Sequence, residues 1–254
     1  MSNNEKNQNG NKGFTRRTFL KNSGMTVGGV VLGGAIGSLF GGKSETPQST
    51  SHNMAPALSV NPSEALMFFT PDQYRLTQAA ADRIYPTDEN GPGAMELNAA
   101  IYIDHQLASP WGFNVKEYMS APFYKAEETQ GSQVRILRKD LFLLGLSALD
   151  AYSNNKYKMK FSELTTEEQD LVLTDFSEGI APDISTVSSK IFFNLLRTLT
   201  IEGVYADPLY GGNKDMIGWS MRKYPGSRMN YVEEIQDQKF VKLEPQGLNS
   251  HMGH

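Results

Sequence analysis

The chain holds few residues whose type and spacing suit chemistry. It has no cysteine, which removes disulfides, thiolate zinc sites, cysteine-ligated iron–sulfur clusters and thioether-attached haem. It also leaves no thiol for a lipid anchor. Of four histidines, His52 lies in a Ser/Thr/Pro/Asn-rich stretch and His251 and His254 lie at the C-terminal end. His105 is therefore the one histidine placed for acid–base work. With a carboxylate partner it would suit an exported hydrolase. Asp104 adjoins it, but residues one apart on a helix do not face each other, so His105 reads as a structural histidine. Glu167, Glu168 and Asp170 fall on a charged helix face and read as solvated surface. No helix carries the His-Glu-x-x-His pair of zinc proteases or the Glu-x-x-His pair of di-iron bundles. A dinucleotide site needs Gly-x-Gly-x-x-Gly between a strand and a helix, and neither that nor a phosphate loop occurs. The expectation is that this chain holds no catalytic set, cofactor or metal of its own.

The densest set of polar, aromatic and turn-forming residues is Glu202-Gly203-Val204-Tyr205-Ala206-Asp207-Pro208-Leu209-Tyr210-Gly211-Gly212-Asn213 and its continuation to Trp219. Asp207-Pro208 breaks a helix, and Gly211-Gly212 permits a sharp turn with positive φ. Asp207, Asn213 and Asp215 have short polar side chains that hydrogen-bond local amides. Trp219 supplies an apolar anchor, flanked by Ile217 and Met221. Three readings follow. The loop is an internal brace, or a docking surface for a partner, since Tyr and Trp serve both. The third is a calcium loop, whose spacing does not match a known one. A separate possibility is a carbohydrate-binding module that stacks sugars on Trp111, Tyr205, Tyr210 or Trp219.

The elements that position these residues read as helices, and the predicted class is an all-α bundle with a loop-rich C-terminal segment. Thr70-Pro71-Asp72-Gln73 is a helix start with Thr as N-cap and Pro at the first position. Tyr74, Leu76, Ala80, Ala81 and Ile84 make the apolar stripe, and Pro86 ends it. A second helix is expected over residues 94–108. A third runs over 132–153, with Val134, Leu137, Leu141, Leu144, Ala148 and Tyr152 as its stripe. The capping box Thr165-Thr166-Glu167-Glu168 starts a fourth over 166–178, with Leu171, Val172 and Phe176 inward. A fifth is expected over 185–202 through Ile191, Phe192, Leu195, Leu196 and Leu199.

The N-terminal region differs in kind. Residues 1–13 are polar and read as disordered. Arg16 and Arg17, with Phe19 and Leu20 close behind, precede a Gly-rich apolar run from Met25 to Phe40. That run is short of the roughly 20 apolar residues of a membrane span. Paired arginines before a modest apolar run mark a twin-arginine export signal. Residues 1–42 are thus expected to be the signal segment, 43–63 a flexible linker, 64–226 the helical domain and 227–254 an irregular tail. The formal charge of −4 conceals an asymmetry: residues 1–44 hold six of the 24 basic residues and one of the 28 acidic ones. The body is correspondingly acidic and repels phosphate backbones, so nucleic acid is excluded as a partner. The twin-arginine route carries folded proteins, often with a cofactor inserted. A chain with that signal and no cofactor motif either folds too fast for the unfolded route or escorts a companion.

Four segments together resemble the gluconate 2-dehydrogenase subunit 3 family. They are Arg16-Arg17; Ala81-Asp82-Arg83-Ile84-Tyr85-Pro86-Thr87-Asp88 with Gly91-Pro92-Gly93-Ala94; Ile103-Asp104-His105-Gln106-Leu107; and the stretch from Glu202 to Asn213 with Gly218-Trp219. The similarity spans roughly residues 66 to 226. The resemblance implies a small, non-catalytic subunit of a membrane-associated FAD-dependent dehydrogenase that oxidises gluconate or related sugars. It implies FAD in a large partner subunit, often a cytochrome c subunit to take the electrons, and passage through the twin-arginine translocase to the periplasm or the outer face of the cytoplasmic membrane. Tyr205, Asp207, Pro208, Tyr210, Gly211, Gly212, Asn213 and Trp219 become the candidate partner interface or structural loop.

Overall fold

Local signals start two of the helices. The structure, a computed structural model, describes residues 64–124, 134–236 and 241–251. Helix α1 (Pro71–Ile84) opens on a capping box in which the Thr70 hydroxyl accepts from the Gln73 N–H and the Gln73 side chain accepts from the Thr70 N–H. The box satisfies two of the amides that a helix start leaves unpaired. Helix α4 (Thr166–Glu178) begins the same way through Thr165 and Glu168, and ends on Gly179 in the left-handed region. Between them lie α2 (Ala99–Ala108) and α3 (Arg138–Tyr157), followed by α5 (Ser189–Tyr205), α6 (Ile217–Arg222) and α7 (Val232–Gln236). The described residues contain no strand, only three isolated bridges. Among them, no helix is long and apolar enough to cross a membrane. The export-signal residues Arg16, Arg17, Phe19 and Leu20, and the linker after them, lie outside the described residues.

Helix α5 is the axis of the bundle and touches each of α1, α2, α3 and α4. Its buried face carries Phe192, Phe193, Leu196, Leu199, Thr200, Gly203 and Val204. Phe192 sits edge-on to Phe142 of α3 at 5.6 Å and to Phe176 of α4 at 6.1 Å. Such edge-to-face pairs add about 0.5–1.5 kcal/mol each beyond area burial. A second, smaller cluster lies under the C-terminal end of α5, where Ala81, Tyr85, Ala94, Leu97, Ala99 and Val204 are buried and Ile217 and Met221 pack against them. Small residues predominate here because the backbones come close: a side chain on Gly203 would meet Ala99 Cα at 3.0 Å.

Four sequence expectations are corrected. The second helix starts at Ala99, not near 94, because Asn98 takes a left-handed conformation (φ 56°) and breaks the periodic run. The third starts at Arg138, continues to Tyr157, and is rotated from its expected register. Leu144 is 44% exposed, whereas Phe142, Gly145, Leu146 and Leu149 face inward. Leu171 of α4, expected inside, is likewise 52% exposed. Gly145 explains the register of α3, since a Cβ there would overlap the Phe192 ring. Asp170, expected on a solvated face, instead accepts a bidentate pair from Arg83 at 2.8 and 2.9 Å, joining α4 to α1. Burial alone would lower the Arg83 pKa, but the Asp170 carboxylate more than offsets this and raises it, so the guanidinium stays charged.

Gly145→Ala is expected to destabilise the domain by about 1–3 kcal/mol, the cost of overpacking a filled core. Chemical denaturation checks it, with loss of the α3–α5 contact seen as a lower midpoint at unchanged slope.

Candidate functional site: the cap of α5 and its loop

A helix leaves its last four carbonyls without intrahelical partners. At the end of α5 the following chain supplies the donors. The Asn213 N–H donates to Gly203 O at 2.8 Å, the Asn213 Nδ2 to Ala206 O at 2.8 Å, and the Trp219 indole Nε1–H to Tyr205 O at 2.8 Å. Asn213 Oδ1 in turn accepts from the Gly218 N–H at 2.7 Å, which ties α6 to the cap. Asn213 is fully buried and lies in the left-handed region (φ 46°), which Asn tolerates better than most residues. The glycines have a steric role. A Cβ on Gly212 would overlap the Gly203 carbonyl, and one on Gly218 would overlap the Val204 carbonyl. Gly211 takes φ 98° and packs so closely that a Cβ would fall 2.7 Å from Ile101 Cγ2 and 2.9 Å from His105 Nδ1.

The remaining sequence-predicted residues divide by direction. Trp219 is 5% exposed and packs edge-on against Tyr224 at 5.3 Å. Tyr205 is half-buried, shares a 2.8 Å hydrogen bond with the Tyr85 hydroxyl and accepts from Arg222 Nε at 3.0 Å. Asp207 is buried. It caps the 3-10 turn Pro208–Tyr210 through the Leu209 N–H at 3.0 Å, and its other oxygen accepts from the Leu248 N–H at 2.8 Å. Pro208 is half-buried, while Tyr210, at 47%, is the exposed aromatic of the set. Asp215 is exposed, whereas Asn213 and Asp207 are buried and spend their side chains on local backbone. Among the described residues no three His, Cys, Asp or Glu side chains come together in a way that could hold a metal.

The sequence reading missed the role of Asp104. This carboxylate is fully buried, and it accepts from the N–H groups of Met67 (2.6 Å), Phe68 (3.1 Å) and Phe69 (2.6 Å). Its neighbour His105 shares a 2.9 Å hydrogen bond with Ala65 O through Nε2. The two side chains thus act separately on one target, the chain entering α1. Lys214 of the loop lies 3.9 Å from Glu64 at the same place. The segment entering the domain is thus held by Asp104 and His105 of α2 and passes the loop at Lys214, while the tail leaving the domain is held by Asp207 of the loop itself. An adjacent Asp-His pair gives no sequence signal for this, because the partners of Asp104 are backbone N–H groups 35–37 residues away and that of His105 is a backbone carbonyl 40 residues away.

A dinucleotide does not fit the loop. Gly211 and Gly212 lie between α5 and the 3-10 turn Lys214–Met216, without a strand before them, and the Ile101 and His105 side chains at Gly211 and the Gly203 carbonyl at Gly212 fill the space a pyrophosphate would need. Sugar stacking is also poorly served. Trp219 is buried, Arg138 lies 4.4 Å over the Trp111 ring, and Arg222 lies 5.4 Å from the Tyr205 ring centre, which leaves Tyr210 as the exposed ring of the four.

A family model described as Gluconate 2-dehydrogenase subunit 3 matches residues 71–226. The chain belongs to that family. The matched span begins at the first residue of α1 and ends at Gly226, just past the anchor of Trp219, so it takes in the bundle and the capped loop together. No curated relative and no solved structure matches the chain.

Two substitutions test this geometry. Asn213→Asp keeps the acceptor for Gly218 but replaces the donor to Ala206 O with an oxygen, and is expected to cost about 2–3 kcal/mol in thermal or denaturant unfolding. Asp104→Ala removes the acceptor of three backbone N–H groups. It is expected to cost about 3 kcal/mol and to accelerate hydrogen exchange at the Met67 and Phe69 amides before any other part of the bundle.

Proposed function

We propose that this chain is the non-catalytic small subunit of an exported FAD-dependent gluconate or sugar dehydrogenase, and that it supports the folding, twin-arginine export and stability of the large catalytic subunit. The observation that carries the reading is the family match over residues 71–226, which makes the chain a subunit of a dehydrogenase complex. The geometry of its most distinctive loop is in keeping with that role. Asn213, Trp219 and Asp207 spend their hydrogen bonds on the protein's own backbone, whereas a catalytic set aims polar groups at a reacting atom. FAD and the oxidation are assigned to the partner, electrons to a cytochrome c subunit, and export of the assembled pair to the signal at Arg16 and Arg17. The destination is then the periplasm or the outer face of the cytoplasmic membrane.

The test is to express the FAD-binding subunit with and without this chain, and with Arg16→Lys/Arg17→Lys. Exported dye-linked dehydrogenase activity and flavin content of the large subunit are expected to fall at least tenfold without the chain. The double Lys variant is expected to leave the pair in the cytoplasm. Equal export, flavin content and activity in all three strains would refute the escort role.

A further inference from the structure

We propose that Glu202, Tyr102 and Tyr210 form a socket for an arginine side chain of the catalytic subunit. This deepens the small-subunit reading and rests on it. The three residues meet where the loop crosses α2. Gly211 packs there so closely that a Cβ would fall 2.7 Å from Ile101 Cγ2 and 2.9 Å from His105 Nδ1, and this brings Tyr210, one residue earlier, beside Tyr102. The Tyr102 hydroxyl donates to Glu202 Oε2 at 3.2 Å, which joins α2 to α5. Glu202 is exposed, Tyr102 is half-buried against the main core, and Tyr210 is 47% exposed. All three lie inside the family-matched span, residues 71–226.

Both rings are positioned by the domain itself. Tyr210 closes the 3-10 turn that Asp207 caps, and its N–H donates to Asp207 O at 2.9 Å. Tyr102 leans on the core. Burial, then the Glu202 carboxylate and Tyr210, push its hydroxyl above the usual tyrosine range, so it stays protonated and keeps its hydrogen bond. Side chains ordered in advance reduce the cost of binding.

Charge chooses the occupant. Glu202 makes no ion pair among the described residues. No Lys or Arg lies within one turn of Glu202 on α5 or of Tyr102 on α2. The nearest basic groups are committed elsewhere: His105 Nε2 meets Ala65 O, and Lys214 lies 3.9 Å from Glu64. A companion that covered this carboxylate without a cation would leave it desolvated and unpaired. A guanidinium suits the place, since its plane stacks on a tyrosine ring while its N–H fork pairs with a carboxylate. Arginine and tyrosine are also the common anchors of protein interfaces. The same charge turns away an anionic lipid surface, which recruits Lys and Arg, and a neutral sugar supplies no counter-charge.

The experiment co-expresses the affinity-tagged full chain with the FAD-binding subunit and measures the catalytic subunit retained on the resin at low and high salt. Glu202→Lys is expected to retain about tenfold less than the wild type, at an unchanged circular dichroism spectrum and melting temperature. Glu202→Gln keeps the acceptor for Tyr102 and removes the charge. It is expected to lose about threefold and to flatten the salt dependence, which a merely structural residue would not change. Tyr210→Ala, at an exposed ring, is expected to lose about threefold, and carries the test if Glu202→Lys does not fold. Wild-type retention by the folded variants overturns the socket and leaves the subunit reading intact. A wild-type chain that does not retain the catalytic subunit overturns both. Loss with Tyr210→Ala while both Glu202 variants retain the catalytic subunit normally overturns arginine as the occupant. A Glu202-dependent change in tyrosine fluorescence on titrating glucose into the full chain, or a Glu202-dependent dimer by light scattering, overturns it equally.

Discussion

The carbonyls at the end of α5 face into the protein rather than into water, and the chain that follows has to supply their donors. Asn213 meets two of them, with its main-chain and side-chain N–H groups, and Trp219 meets a third with its indole. This one requirement sets much else. It places Asn213 in the left-handed region, demands glycine where Gly212 and Gly218 cross the carbonyls of Gly203 and Val204, and draws Trp219 into the domain. Because α5 is also the helix that α1, α2, α3 and α4 share, the cap links the loop to the whole core. An unpaired buried carbonyl costs more than a hydrogen bond returns, so the loop has little freedom to serve another chemistry.

Two buried carboxylates extend the same logic to the ends of the domain. Asp104 gathers the amides of Met67 to Phe69, and Asp207 gathers those of Leu209 and Leu248. Each is paired with backbone N–H groups rather than with a basic side chain, which satisfies its buried acceptors. The incoming and outgoing segments are thereby anchored near one region of the fold. In the proposed escort role, the place where the export segment joins the domain would report on whether the bundle has formed.

Legibility in the sequence followed the range of the interaction. The capping boxes at Thr70 and Thr165 are four-residue motifs, and both helix starts lie where the residues place them. Pro86 after Ile84, and the inward Val172, Phe176, Leu196 and Leu199, follow from periodicity alone. The register of α3 did not, because Gly145 belongs to the core only by admitting Phe192 from another helix. The start of α2 was missed for a similar reason: Leu97 O accepts from the Lys214 N–H, a partner on the far side of the loop, and Asn98 turns out of the helix next to it. In the candidate site, the glycines and the helix-breaking Asp207-Pro208 were readable as turn chemistry. The meeting of Asn213 with Ala206 and Gly218, and the grip of Asp104 on residues before α1, depend on tertiary contacts that no local pattern encodes.

The distinctive polar residues cap their own helix and clamp the ends of the domain, and family membership points to a dehydrogenase complex, which is the basis of the proposed small-subunit role. The most direct measurement is the absorption spectrum and metal content of this chain purified alone, set beside those of the complex separated into its subunits. The account predicts protein absorption only for the isolated chain, with the flavin bands following the large subunit. Stoichiometric flavin, haem or metal remaining with the isolated chain would contradict it.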